Sequence, residues 1–306
     1  MIPIRFNDNE KITVHKLCYD LFEIKKYQKK IEEYKRNLHE INDWCKKNII
    51  IDGKKFSFPD VVKADFDTLS KIVEKLDNLK ASFHYSPPPH EKYIVDYLYS
   101  NKFPRLEFIH SLGVTVCPYC NRNFINSTNK RTTCQFDHFY NKSEYPLLSV
   151  SFYNLVPVCY CCNHAKKQSH LGYSPHDKKY KTNDLIKFDF SIMGMDYLFN
   201  TEDLKIEIDG NTNFKSNIET LMLNEVYQLH KDVVQECLKK AMIFSPEYIN
   251  YLFATYDELF KSKDELYEMI FSNYLSEESF GKRPLSKLTH DVCDDLYDIY
   301  YGLKLE

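Results

Sequence analysis

The stretch VCYCCNHAKK, Val158–Lys167, packs three cysteines, an asparagine, a histidine and two lysines into ten residues. Cys159 and Cys162 have the Cys-x-x-Cys spacing, and about forty residues upstream Cys117-Pro118-Tyr119-Cys120 repeats it. Two thiolates at that spacing bind one ion from a tight turn, and two such pairs complete a closed tetrahedral zinc site. Cys161 lies between the partners of the second pair; spacing favours Cys159 and Cys162, with Cys161 as an inert neighbour. Cys134, Cys18, Cys45, Cys237 and Cys293 stand apart and read as small buried hydrophobes.

A metal reading of ten cysteines requires a reducing compartment. The opening MIPIRFNDNEKITVHK has no apolar core of a signal peptide, and no window approaches the apolar length of a membrane helix. The expectation is a soluble, cytoplasmic protein. The net charge of −3 conceals an asymmetry: Cys117 to Lys181 holds nine basic and three acidic residues, a balance of +6, which leaves −9 for the remainder. A basic insert in an acidic body suggests a localised site for an anionic partner.

Outward from the cysteines the texture becomes helical. The chain has 306 residues, enough for more than one average domain, and only seven glycines. Apolar residues from Leu17 to Ile41 fall at helical spacing and predict one long amphipathic helix. A second is predicted after Pro59-Asp60, with Val62, Phe66, Leu69, Ile72 and Leu76 on one side. Ser86-Pro87-Pro88-Pro89 breaks it, and short helices are predicted around Glu91–Ser100 and Pro104–Leu112. Beyond the cysteine-rich segment, Leu204–Ile208 before Asp209-Gly210 predicts a hairpin strand. Helical periodicity then returns over Ile218–Ile243, Pro246–Phe260, Asp264–Tyr274 and Leu285–Tyr301.

A closed four-thiolate zinc keeps no open coordination position, so any chemistry has to come from other residues. Between the cysteine pairs lie Asp137-His138 and Asn154, and Asn163 follows the second pair. An aspartate and an asparagine offer hard oxygen ligands suited to Mg2+ or Mn2+. A neutral histidine beside such an ion can take a proton from water near neutral pH. Phosphodiester hydrolysis needs that combination of base and cation. Singly, Asp137-His138 reads equally as a surface pair, and each asparagine as a turn or cap residue.

The order of these residues resembles the HNH endonuclease family of the zinc-braced type. The matching residues are C-P-Y-C, then D-H-F-Y-x-K-S-x-Y-P, then N-L-x-P-x-C-x-x-C-N-x-x-K, covering roughly 113–167. The resemblance implies an α+β fold, a mostly helical chain around a central zinc-stabilised ββα-metal core. It divides the chain into a helical region 1–112 suited to partner docking, a nuclease core 113–190, and a hairpin with helices over 191–306. It implies that His138 is the general base, Asp137 and Asn163 ligate the catalytic Mg2+ or Mn2+, and Asn154 holds the loop and orients the histidine. Cys117, Cys120, Cys159 and Cys162 match the zinc knuckles. Lys142, Lys166 and Lys167 are expected at substrate phosphates. The family's last letter is often His. Asn163 stands there, with weaker use of Ni2+ or Zn2+ expected, and the adjacent His164 should point elsewhere.

DHFYNKSEYPLLSVSFYNLVP, LNEVYQLHKD (Leu223–Asp232) and KRPLSKL (Lys282–Leu288) are similar to the HNH subunit of Septu-type anti-phage systems, in which the nuclease works with a separate ATPase. The chain contains no G-x-x-x-x-G-K-[ST] loop, so nucleotide hydrolysis would fall to that partner. The substrate implied is nucleic acid, DNA ahead of RNA. The competing reading is a non-catalytic, zinc-braced nucleic-acid-binding or scaffold module.

Overall fold

Short polar residues ahead of apolar runs start several of the helices. In the computed structural model, which describes residues 2–6, 9–24, 30–83, 85–125 and 127–302, α1 (Glu10–Phe22) begins where the Asn9 side chain accepts from the Ile12 N–H at 3.4 Å. It ends at Glu23, whose backbone is extended. α2 (Ile31–Asn48) starts anew after the left-handed Lys30. The single helix expected from Leu17 to Ile41 is therefore two; Tyr27 of that stripe lies outside the described residues. The break lets both apolar faces, Val14, Leu17 and Leu21 on one helix and Tyr34, Ile41 and Cys45 on the next, bury in the same unit. The Tyr34 hydroxyl also donates to the terminal Phe22 carbonyl at 3.2 Å, satisfying an acceptor that a helix end leaves open.

A tight hairpin of β1 (Ile50–Ile51) and β2 (Lys54–Lys55) turns through Asp52-Gly53, both at positive φ, the conformation that Asp-Gly favours. The helix expected after Pro59 is split. α3 (Phe58–Lys63) opens on a Ser57/Asp60 capping box, and α4 (Phe66–Lys80) on Asp65, which accepts from the Thr68 N–H at 2.9 Å. After the proline run, Tyr93–Lys102 is wound as a π-helix, with Ser100 and Asn101 side chains bonding back to the Val95 and Asp96 carbonyls five residues earlier. α5 (Arg105–Leu112) closes on Gly113 at φ 59°. β3 (Gln135–His138) then pairs antiparallel with β4 (Leu155–Val158), in register Gln135↔Val158 to His138↔Leu155.

After β4 come α6 (Tyr160–Lys166), α7 (Thr182–Leu185) and the antiparallel pair β5 (Ile186–Ile192) and β6 (Leu204–Gly210). The predicted strand Leu204–Ile208 lies within β6 and alternates Leu204 and Ile206 inward against exposed neighbours. The single helix expected over Ile218–Ile243 is broken into α8 (Lys215–Thr220), α9 (Leu223–Tyr227), a 3-10 turn and α10 (Lys231–Ile243). Left-handed Met222 makes the first break. Near the second, Tyr227 is buried and donates its hydroxyl to the Cys120 carbonyl at 2.6 Å, while the Gln228 side chain brackets the Ile206 backbone. α11 (Pro246–Thr255), α12 (Lys263–Phe271) and α13 (Ser286–Tyr301) follow the predicted periodicity, with Ser245 and Ser262 as caps.

The chain divides into two compact units. The N-terminal unit contains 4–113 and 126–158; the C-terminal unit contains 1–3, 114–125 and 159–306. The segment 113–190 therefore contributes to both. Among the described residues the sheets are three separate antiparallel pairs, so the fold is α+β with helices dominating. In the N-terminal unit the rings of Phe103, Phe108, Phe136 and Phe152 meet at centroid distances of 5.4–6.0 Å. That cluster seats β3 through Phe136 and the turn before β4 through Phe152. Burial of each ring is worth roughly 2–3 kcal/mol. In the C-terminal unit α13 packs on β5 and α10, and its Leu288, Val292 and Leu296 are buried.

Candidate functional site

The four cysteines come together in the C-terminal unit. The sulfurs of Cys117, Cys120, Cys159 and Cys162 all lie within 4.8 Å of one another, and Cys120 and Cys159 are 4.0 Å apart. Tetrahedral zinc with bonds of about 2.3 Å separates its sulfurs by about 3.8 Å, so the cluster fits such an ion closely. Cys117 and Cys120 leave the isolated Val116–Phe124 bridge on a turn closed by Cys117 N–H to Asn123 C=O at 2.9 Å and Asn121 N–H to Cys117 C=O at 2.8 Å. Cys159 caps α6 and Cys162 sits one turn in.

Donors surround the sulfurs. The Cys159 N–H reaches Cys117 Sγ at 3.3 Å, the Arg122 N–H reaches Cys120 Sγ at 3.4 Å, and Asn123 Nδ2 reaches Cys159 Sγ at 3.4 Å. Such donors stabilise thiolate charge and orient the ligands. Burial pushes the Cys117 thiol well above its ordinary range, so a thiolate there needs a cation beside it. Four buried cysteines with converging donors could hold a metal such as zinc. Cys161 is exposed and outside the cluster. Cys18 and Cys45 are buried, and burial raises their thiols to about 11 and about 12. They are inert at neutral pH. Cys134 is partly exposed rather than buried as expected, and accepts from the Thr132 hydroxyl at 3.0 Å.

Asp137, His138 and Asn154 are gathered on the β3–β4 hairpin of the N-terminal unit. All three are buried. Asp137 and His138 are consecutive at the end of β3. The His138 ring meets the edge of Tyr99 at a centroid distance of 4.6 Å, and the Tyr99 hydroxyl donates to the Phe136 carbonyl at 3.3 Å. His138 Nε2 lies 3.1 Å from the Ser149 carbonyl. A carbonyl only accepts, so Nε2 carries a hydrogen and donates it there.

Asn154 closes the loop between the strands. Its Oδ1 accepts from the Tyr140 N–H at 2.8 Å, and its Nδ2 donates to the Tyr140 and Leu148 carbonyls, each at 3.1 Å. Its own carbonyl takes the Phe139 N–H at 2.9 Å. The loop held in this way carries the Ser149 carbonyl that meets His138. Asn154 thus acts on the imidazole through the backbone at 148–149.

Asn163 belongs to the C-terminal unit, on α6 between Cys162 and the exposed His164. Lys142 and Lys167 are exposed, whereas Lys166 is fully buried. Three contributors had no signal in the sequence: Tyr99, the Ser149 carbonyl and Asn123. Tyr99 comes from a helix far upstream, a backbone carbonyl has no letter of its own, and Asn123 would have needed its turn geometry. Comparison of the chain with protein-family models, curated proteins and solved structures returns no match.

Proposed function

We propose that this protein is a metal-dependent endonuclease that hydrolyses phosphodiester bonds in nucleic acid, with His138 as the general base. The observation that carries the reading is the hydrogen bond that holds His138. Its Nε2–H donates to the Ser149 carbonyl, and that bond fixes the orientation of the ring that would take a proton from water. Asn154 holds that carbonyl's loop at three points, and Tyr99 braces the ring. A base held by backbone and packing loses little orientation entropy when it reacts.

The resemblance implies Asp137, the residue before the base in sequence, and Asn163 as ligands of the catalytic ion. This donor set suits Mg2+ or Mn2+, which when bound would stabilise charge on the phosphate and the leaving oxygen. The four-cysteine centre would serve structure alone. The same resemblance supports a role as the effector subunit of a bacterial anti-phage system beside a separate ATPase.

The test is cleavage of plasmid DNA, single-stranded DNA and total RNA in Mg2+ and in Mn2+, by the parent protein and by His138→Ala. The expected result is cleavage by the parent, a loss of about 100-fold or more in the variant, and equal zinc content in both. Equal cleavage by the two proteins would remove His138 from the chemistry. Nucleic-acid binding without cleavage, even with the ATPase present, would favour the scaffold reading.

A further inference from the structure

α6 is the most heavily committed short element in the chain. Within seven residues it carries one cysteine of the metal cluster, follows directly on another at its cap, and bears Asn163. Its remaining positions include an arrangement that neither the metal centre nor the proposed hydrolysis uses. Tyr160 and His164, one turn apart, stack with their planes 9° from parallel and their centroids 5.7 Å apart. Tyr160 is 65% exposed and His164 is exposed too. Lys167, exposed, is the residue that ends the helix, one turn after His164 in sequence.

Single exposed aromatics are ordinary on protein surfaces. Here two rings are mutually aligned in water and mounted on a helix clamped at its cap and first turn by metal-cluster cysteines. The plane they present is preorganised, so little side-chain freedom remains to be lost on binding. Within the same unit, 117–125 and 159–181 hold six basic residues against Asp177, a balance of +5. A flat π surface beside a lysine in a positive field matches an anionic polymer that offers flat π faces. In a duplex those faces are already stacked on one another, and only edges are accessible in the grooves. An unpaired nucleobase has a free face and extends such a stack.

We infer that Tyr160 and His164 form a base-stacking platform, with Lys167 beside it for phosphate, that selects single-stranded or locally unpaired nucleic acid. This deepens the nuclease reading by naming its substrate class, but the platform can be tested without turnover.

The experiment uses the full chain carrying His138→Ala, loaded with zinc. It measures binding of a short oligonucleotide containing 2-aminopurine, as a single strand and as the blunt duplex of the same sequence. The expected result is tighter binding of the single strand, with 2-aminopurine fluorescence quenched on binding. Adding Tyr160→Leu should weaken single-strand binding on the order of tenfold and remove the quenching. Tyr160→Phe should retain both, because the ring does the stacking. His164→Ala serves as a second probe, and zinc content and circular dichroism verify that each variant is folded. Duplex binding as tight as single-strand binding would overturn the platform. So would a folded Tyr160→Leu protein, confirmed by His164→Ala, that binds the single strand as its parent does. If the parent chain never cleaves, the nuclease reading fails alone, since these binding outcomes do not depend on hydrolysis.

Discussion

At the scale of single residues, Asn154 shows how much one buried amide can organise. It is fully buried and makes three side-chain hydrogen bonds, two to backbone groups at Tyr140 and one to Leu148. Asn154→Ala would leave the Tyr140 N–H and two carbonyls without these partners, and an unsatisfied buried group costs about 1–3 kcal/mol. The expected loss is about 2–4 kcal/mol of stability, read as a lower denaturation midpoint. Activity should fall further than the fraction unfolded explains, because the Ser149 carbonyl no longer holds the His138 ring. Activity that tracked the folded fraction alone would argue against this coupling. The letters Asp137, His138 and Asn154 were legible in the sequence as chemistry-bearing types in a suggestive order. What His138 bonds to was not legible, because its acceptor is a main-chain carbonyl.

At the scale of elements, the chain is punctuated by local chemistry where that chemistry is strong. The triple proline lies outside any helix, as expected, and the Ser57/Asp60 capping box and the Asp52-Gly53 turn are likewise set by local chemistry. Two of the long helices that proved broken, Leu17–Ile41 and Ile218–Ile243, had unbroken apolar stripes. Their breaks fall at Glu23, at Met222 and around Tyr227 to His230, residues with no turn preference, so packing rather than propensity placed them. α6 depends on packing in another form. Seven residues are too few to hold a helix in water, and the cysteine cluster at its start supplies what length does not. Removing the metal with a strong chelator, or substituting Cys162→Ser, should therefore unfold the knuckle and α6 together. The readouts are loss of bound zinc, loss of helical circular dichroism, and proteolytic cleavage appearing within 114–125 and 159–167. Full helicity and protease resistance in a zinc-free protein would make the cluster dispensable.

At the scale of the whole molecule, two compact units share a chain that passes from the N-terminal unit to 114–125 and back before entering the C-terminal unit at Cys159. Each cysteine pair comes from a different pass, so closure of the cluster joins segments that are distant in sequence. Charge is also a property at this scale. The acidic remainder of −9 repels a polyanion, while the +6 segment attracts it. Nucleic-acid affinity should then fall steeply with salt. Lys142→Gln and Lys167→Gln should each flatten the single-strand slope of log affinity against log salt by roughly 0.7, the effect of one released counterion. Lys166→Gln should leave the slope unchanged, because that ammonium is buried. An equal change in slope for all three would place Lys166 at the substrate.

The sequence by itself determined the four-cysteine cluster, the helical majority and the second hairpin. Each rests on spacing or residue type within a short window, where covalent geometry limits the outcomes. Only the tertiary structure decided where the long stripes break, that Lys166 is buried while Lys142 is not, and that Tyr99, Ser149 and Asn154 surround His138. Those outcomes depend on backbone groups and on residues far apart in sequence, such as Tyr99 with His138 and Tyr227 with Cys120. Contacts of that range are set by the packing of the whole unit, and no local pattern encodes them.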